Sequence, residues 1–507
     1  MLASATHQRA ALIVAALAFI GSYLLYPVES DAAYAINDAL WNALMAEGDD
    51  EHVVSGHHPM FHIAAHGVAA VLDAVGVEQR GLHAVKVLSA LSASAILGLI
   101  VAAAGARRWW FGVLVATTLA STRGFWIEAG TGENVLLGVA FGLYALRAAL
   151  DDRCRLSRVG IWVVLALLAR QDNILLLPAW AYGLWQRMPA ESRLKRLVLW
   201  GAVSGIATLG LYFLIWWAFS EENTFLEWLT YTSTHNKRAV NGSWSSTGGV
   251  ITLDVVEQHI AALSVSVVGL LTFDRIPNLI MGIAFVASLL GAGFLDRGSR
   301  RARPLLIAAG IMLATRLPFY LWFEPSNFEW WLLPLSVFAW LSAQLSGGKT
   351  ERPRARPLLA TALLVAATGW VLWSHAAHSW SLRQRTMAVA IDRVVDEARS
   401  RYRNPLWVPA SGIPMTAFRM RGIAPYYRVA LSADPLLELK SIVEERPHRT
   451  IVVLVDRFIH NGMPINRDLA DPTTAFLDTL VAEPGGRTLR RRGRVQAFII
   501  PPRTRGQ

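Results

Sequence analysis

The chain has 507 residues, 54% of them hydrophobic and 17% charged, against about 25% charged in an ordinary soluble domain, a balance that excludes a simple water-soluble enzyme. Its net charge of +11 would suggest nucleic acid in a soluble protein. Here the arginines and lysines fall between apolar runs, where the positive-inside rule accounts for them and nucleic acid drops out as a partner. The single cysteine, Cys154, excludes an intramolecular disulfide and carries no redox or thiolate motif.

Eleven apolar segments are expected to span a membrane: Ala10 to Leu25, Ala84 to Ala104, Trp109 to Ser121, Asn134 to Leu150, Val159 to Ala169, Ile174 to Trp185, Leu197 to Phe219, Leu279 to Leu295, Leu305 to Trp322, Trp330 to Leu345 and Leu358 to Trp373. Several fall short of the roughly 20 residues a helix needs to cross hydrocarbon. The first follows Arg9 and has no small-x-small cleavage site after it, so it reads as an uncleaved helix rather than a signal peptide. Met60 to Val75 and Val255 to Leu271 are ambiguous. Laying both along the outer surface puts Arg107, Arg108, Arg153, Arg155, Arg158, Arg187, Arg193, Lys195, Arg196, Arg297 to Arg303 and Lys349 to Arg356 together in the cytoplasm.

That choice places the N-terminus inside. Outer loops then run over Tyr26 to about His83, Thr122 to Glu133, Arg170 to Asn173, Ser220 to about Pro277 and Phe323 to Glu329. After Trp373 the chain is expected to stay outside. From about Ser381, strand-like runs (Leu406 to Pro409, Thr450 to Val455, Val495 to Ile500) alternate with helical ones (Thr386 to Ser400, Pro435 to Glu445, Thr473 to Val481). The expected organisation is therefore an all-α polytopic membrane domain over residues 1–375 and a small extracytoplasmic α/β domain over residues 381–507.

The outer loops hold ionisable groups directly beside spanning helices, where they are costly unless they line a cavity. Asp31 follows the first helix in Tyr26-Pro27-Val28-Glu29-Ser30-Asp31-Ala32-Ala33-Tyr34. Ile36, Leu40 and Leu44 then form one stripe and Asn37, Asp38 and Asn42 another, an amphipathic interfacial helix. Gly56-His57-His58-Pro59-Met60-Phe61 opens a second.

These elements resemble C-type glycosyltransferases, including the protein O-mannosyltransferase and lipid A aminoarabinose transferase branches. Asp31-Ala32-Ala33-Tyr34 is similar to their Asp-Glu-Ala-Tyr motif, and His58-Pro59-Met60-Phe61 to a His-Pro-Pro-Leu motif. Gly124-Phe125-Trp126 through Glu133-Asn134-Val135 resembles their second outer loop, and Asn327 through Leu335 the Arg-Tyr-Leu-Leu-Pro-Leu element of a late helix. The chain departs from the pattern at Ala32, Met60, Glu329 and Trp330.

The resemblance implies transfer of a sugar from a polyprenyl-phosphate donor to an extracytoplasmic acceptor, with inversion and Asp31 as base. A lipid phosphate is already a good leaving group, so the reaction needs a base for the acceptor and cations for the departing phosphate. Glu133 is the candidate second carboxylate, with Glu128 its competitor. Arg170 is the first candidate phosphate cation because it interrupts an apolar run, and Arg123, His57 and His58 come next. No cofactor and no obligatory metal is expected beyond the lipid-linked donor.

Plainer readings compete with each assignment. Asp31 could cap a helix, Glu133 could answer a helix dipole, and Arg170 could snorkel or pair with Asp172. His58, His62 and His66 recur every fourth residue as a metal site would, although phosphate or polar-face contacts suit them better. Two rival functions stand beside the transferase. A transporter or flippase would show repeated halves and charges at mid-membrane. A non-enzymatic envelope-polysaccharide assembly component would depend wholly on its exported domain.

Overall fold

The computed structural model describes residues 2–25, 42–43, 45–48, 58–77, 80–106, 108–132, 134–219, 251–268, 275–295, 302–323, 328–346, 355–383, 397, 399–402, 405–409, 435–446, 448–456, 459–460, 463–464, 476–477, 479–482, 487–491 and 495–502. It divides into two compact units. One comprises Met1–Tyr26 and Met45–Ser379, the other Pro27–Leu44 and Trp380–Gln507.

The first unit is helical: α1 (Leu2–Leu25), α2 (Pro59–Ala74), α3 (Arg80–Ala103), α4 (Trp109–Ser121), α5 (Arg123–Thr131), α6 (Val135–Leu150), α7 (Leu156–Ala169), α8 (Leu177–Arg187), α9 (Arg193–Phe219), α10 (Leu253–Val268), α11 (Arg275–Leu295), α12 (Ala302–Phe323), α13 (Leu332–Ser346) and α14 (Ala355–Arg383). Short 3-10 turns, Gln171–Leu176 and Phe328–Trp331, precede α8 and α13. Every expected spanning segment falls on a helix, but length divides them. Among the described residues, Arg80–Ala103, Ala190–Phe219 and Arg303–Trp322 are long and apolar enough to cross a membrane, and α5 with α6 would make a fourth crossing if that bent pair is one broken span. At 1.5 Å per residue, helices such as α4 with 13 residues and α7 with 14 fall short of the roughly 30 Å hydrocarbon core.

Lipid is nonetheless the solvent this surface requires. α9 buries only Trp200, Ser204, Thr208, Tyr212 and Trp216, one residue per turn, while Leu194, Val198, Val203, Ile206 and Leu214 lie 54–72% exposed. A continuous apolar face of that length is stable in hydrocarbon and not in water. Inside the unit α13 is buried along almost its whole length, with Phe111, Trp180 and Trp340 among the largest fully buried side chains.

One expected loop and one expected span are corrected. The segment 122–133, read as an outer loop, contains α5. Thr122 adopts an extended backbone (φ −67°, ψ 141°) that breaks the chain away from α4, and Gly132 at φ +98° ends α5 in the left-handed region glycine favours. The expected span from Ile174 opens instead as a 3-10 turn, because Asn173 ties that turn to α6 and α7.

The second unit carries a four-stranded sheet in the order β1-β2-β6-β5, from β1 (Leu406–Pro409), β2 (Ile451–Asp456), β5 (Arg487–Arg491) and β6 (Val495–Ile500). β1 and β2 are parallel, and the remaining pairs are antiparallel. A two-stranded ribbon joins β3 (Ile459–His460) and β4 (Met463–Pro464). Between β1 and β2 in sequence lies α15 (Pro435–Glu445). Its Leu439, Ile442 and Val443, at helical spacing, share a core with Val408, Ile451, Val453, Leu477 and Phe498.

Candidate functional site

The site grows from the end of α7. Arg170 leaves the helix in an extended conformation (φ −153°, ψ 124°) and the 3-10 turn follows at once. Asn173, 1% exposed, locks this reversal by donating from Nδ2 to the Gly138 and Ala166 carbonyls at 3.1 and 2.9 Å. Thr315 of α12 donates to the Leu175 carbonyl at 2.7 Å, bringing α12 onto the same turn. Arg170 lies flat against α6 because residue 138 is glycine. A Cβ there would stand 2.7 Å from Arg170 Cγ and Cδ.

Three ionised side chains then meet. Arg170 Nε donates to Asp172 Oδ1 at 3.0 Å and Arg316 Nη2 to Asp172 Oδ2 at 2.8 Å, with the three side chains 9, 4 and 12% exposed. Arg316 Nη2 also donates to Asn173 Oδ1 at 3.1 Å, and Arg170 Nη1 reaches toward Asn134 Oδ1 at 3.5 Å. Burial pushes the Asp172 carboxyl up, but the Arg170 and Arg316 guanidiniums outweigh it and hold it below the usual carboxylate range. Burial likewise opposes the Arg170 charge, and the Asp172 and Glu329 carboxylates overcome it.

An aromatic wall closes the cluster. Tyr320 and Trp330 stack at 4.6 Å between ring centroids with planes 14° apart. Arg170 lies over the Trp330 ring at 5.2 Å and Arg316 over Tyr320 at 5.3 Å. Trp331 extends the wall by stacking on His259 of α10 at 4.9 Å and donating from Nε1 to its carbonyl at 2.9 Å. Together Val135, Val139, Arg170, Asp172, Asn173, Arg316, Tyr320, Glu329, Trp330 and Leu333 line a narrow cleft of about 10 Å³, room for about one water molecule. Its chemistry, two cations held on a carboxylate beside aromatic rings, is that of an anion site.

Of the sequence-predicted residues, Arg170 stands in the cleft. Asp31, Glu133 and His57 lie outside the described residues. Arg123 opens α5 and is half-buried, and Thr122 beside it spends its hydroxyl on the Leu119 carbonyl at 2.8 Å instead of capping α5. His58 is the residue before α2, with Pro59 at the first helical position where a missing N–H costs nothing. Its ring centroid is 6.5 Å from that of His62, which is 1% exposed. His66 donates from Nδ1 to the Ala46 carbonyl at 3.0 Å. Among the described residues no group of three or more His, Cys, Asp or Glu is placed to hold a metal ion. Glu128 of α5 is fully buried.

Sequence reasoning missed Arg316, Tyr320 and Asn134. The signal was present for Arg316, which interrupts an apolar span, a costly placement unless the residue has a task.

No family model matches the chain, and no curated protein sequence does. Among solved structures, ArnT from Cupriavidus metallidurans bound to undecaprenyl phosphate matches at a TM-score of 0.51 and 13% identity, covering 98% of this chain and 97% of that one. Its apo-state structure matches over the same shares at 0.37 and 14% identity. At this identity the likeness is one of fold, and over nearly its whole length the chain is a mostly helical protein with an ArnT-like fold.

Proposed function

We propose that the chain is a C-type membrane glycosyltransferase that moves a sugar from a polyprenyl-phosphate donor to an extracytoplasmic acceptor with inversion. The observation that carries this reading is the buried Arg170–Asp172–Arg316 cluster, in a chain whose fold resembles a transferase solved with undecaprenyl phosphate. Asn134, the Arg170–Asn173 turn and Glu329 belong to or adjoin three segments that the basic-loop rule puts on one side of the membrane. Their meeting in one cleft supports that topology.

In this reading Asp31 removes the acceptor proton as the sugar departs, and Glu133 positions the acceptor. The departing phosphate meets Arg170, with Arg123, His57 and His58 around it, and Arg316 holds the shared carboxylate in place. Eleven crossings, several by short helices, put the N-terminus in the cytoplasm and residues 381–507 outside. Substituting Asp31→Asn tests the assignment. Transfer to an extracytoplasmic acceptor is abolished while the protein accumulates normally in the inner membrane, and full activity of the variant would end it.

A further inference from the structure

Exposed cations gather where two helices begin side by side. α7 and α9 run parallel. Gly160 of α7 meets Trp200 and Ser204 of α9, where a Cβ would stand 3.2 Å from Ser204 Oγ, and further along the Tyr212 hydroxyl donates to the Leu167 carbonyl at 3.0 Å. Carried back toward their starts with the same rise per residue, this alignment sets Lys195 and Arg196 of α9 level with Arg155, the residue before α7. Arg153, Arg155, Arg158, Lys195 and Arg196 are all exposed at this end. The acidic residues of the same two segments are Asp151, Asp152 and Glu191. Two neighbouring arginines are used within the protein instead. Arg187 donates to the Ala148 and Asp151 carbonyls at 2.7 and 2.6 Å, closing the end of α6, and Arg193 donates from Nε to the Met188 carbonyl at 3.2 Å.

The exposed cations do not serve the helices that carry them. Arg158, Lys195 and Arg196 stand in first turns, where the helix dipole disfavours positive charge and an external anion offsets it. Apolar surface begins at once, with Ile161, Leu194, Val198 and Leu199 59–66% exposed. Trp185, also exposed, lies under the Arg193 guanidinium at 5.0 Å, the place of an aromatic at a membrane interface. An acidic protein or a nucleic acid would match the charge and leave the apolar surface unanswered. A lipid answers both.

We infer that the shared start of α7 and α9 is a seat for an anionic glycerophospholipid of the surrounding bilayer. Its phosphodiester meets Arg158 and Arg196, with Arg155 and Lys195 beside them, and its acyl chains run along the apolar surface of Ile161, Val198 and Leu199. Setting a topology needs only basic residues somewhere in the loop; a seat needs them level with one another on adjoining helices, as they are here. The inference requires α9 to cross the membrane, which its length and composition allow, and it is independent of the transferase reading.

The test uses the full chain in detergent, with phosphatidylglycerol and phosphatidylcholine of identical acyl chains as probes and native mass spectrometry as the readout. Wild type prefers phosphatidylglycerol by about tenfold or more, and the preference falls about fivefold for each cation removed, the equivalent of about 1 kcal/mol. Arg158→Gln/Arg196→Gln therefore loses it. Arg158→Lys/Arg196→Lys preserves the charge that sets folding and topology and keeps most of the preference. Arg399→Gln/Arg401→Gln removes the same charge from exposed positions of the second unit and leaves the preference intact. Phosphatidylglycerol also raises the melting temperature of wild type and not of Arg158→Gln/Arg196→Gln. Equal binding of the two lipids by wild type, or a preference lowered as much by the Arg399 and Arg401 changes as by those at Arg158 and Arg196, would overturn the seat and leave only attraction by net charge.

Discussion

Replacing Asp172 by asparagine removes the carboxylate that two buried guanidiniums share. Both contacts are short, 3.0 Å to Arg170 and 2.8 Å to Arg316, and none of the three side chains is more than 12% exposed. Solvent screening is therefore weak. Breaking a buried ion pair by deleting one partner costs about 3–5 kcal/mol, and here the deletion leaves two cations side by side. Asp172→Asn is expected to destabilise the membrane unit by that amount in thermal or denaturant unfolding of the protein in nanodiscs. Adding Arg316→Met removes one stranded cation, so the double variant should be less impaired than the sum of the single ones by about 1–3 kcal/mol. Additivity within about 0.5 kcal/mol, or an Asp172→Asn protein as stable as wild type, would refute the shared-carboxylate arrangement.

The same carboxylate sets an acid limit. Because its native-state value is depressed, its contribution is fully present above the unfolded value near pH 3.9 and disappears as pH falls through the lower native one. The stability gap between wild type and Asp172→Asn should thus be constant from pH 5 to 8, to about a unit, and close only in stronger acid. Gly138→Ala should drive the new methyl into Arg170, at about 1–3 kcal/mol of stability and a loss of transfer of about tenfold or more. The transfer assay beside a melting curve separates the two effects. In the second unit, Phe498→Ala empties a fully buried site and should cost about 3–5 kcal/mol there, read as increased protease sensitivity of residues 380–507.

The helices were legible because hydrocarbon imposes long apolar runs, and each expected run falls on a helix. Boundaries failed where side chains override pattern: Asn173 turns the start of an apolar run into a 3-10 turn by bonding two carbonyls of other helices. α5 was hidden by its short length and mixed composition. β5 was hidden by its arginines, which do not read as strand, and only its pairing with β6 makes it one. Arg170 was found because it breaks a run at a helix end. Arg316 was passed over because a single charge inside a run leaves the hydropathy almost unchanged. The convergence of Arg170, Arg316 and Trp330 depends on helix packing between residues far apart in sequence, which no local pattern encodes.

A cryo-microscopy map of the full chain in nanodiscs loaded with undecaprenyl phosphate bears most directly on the proposed chemistry. The phosphate should lie against Arg170, on the non-cytoplasmic side. A phosphate bound elsewhere, or Asp31 on the cytoplasmic side, would contradict the transferase reading.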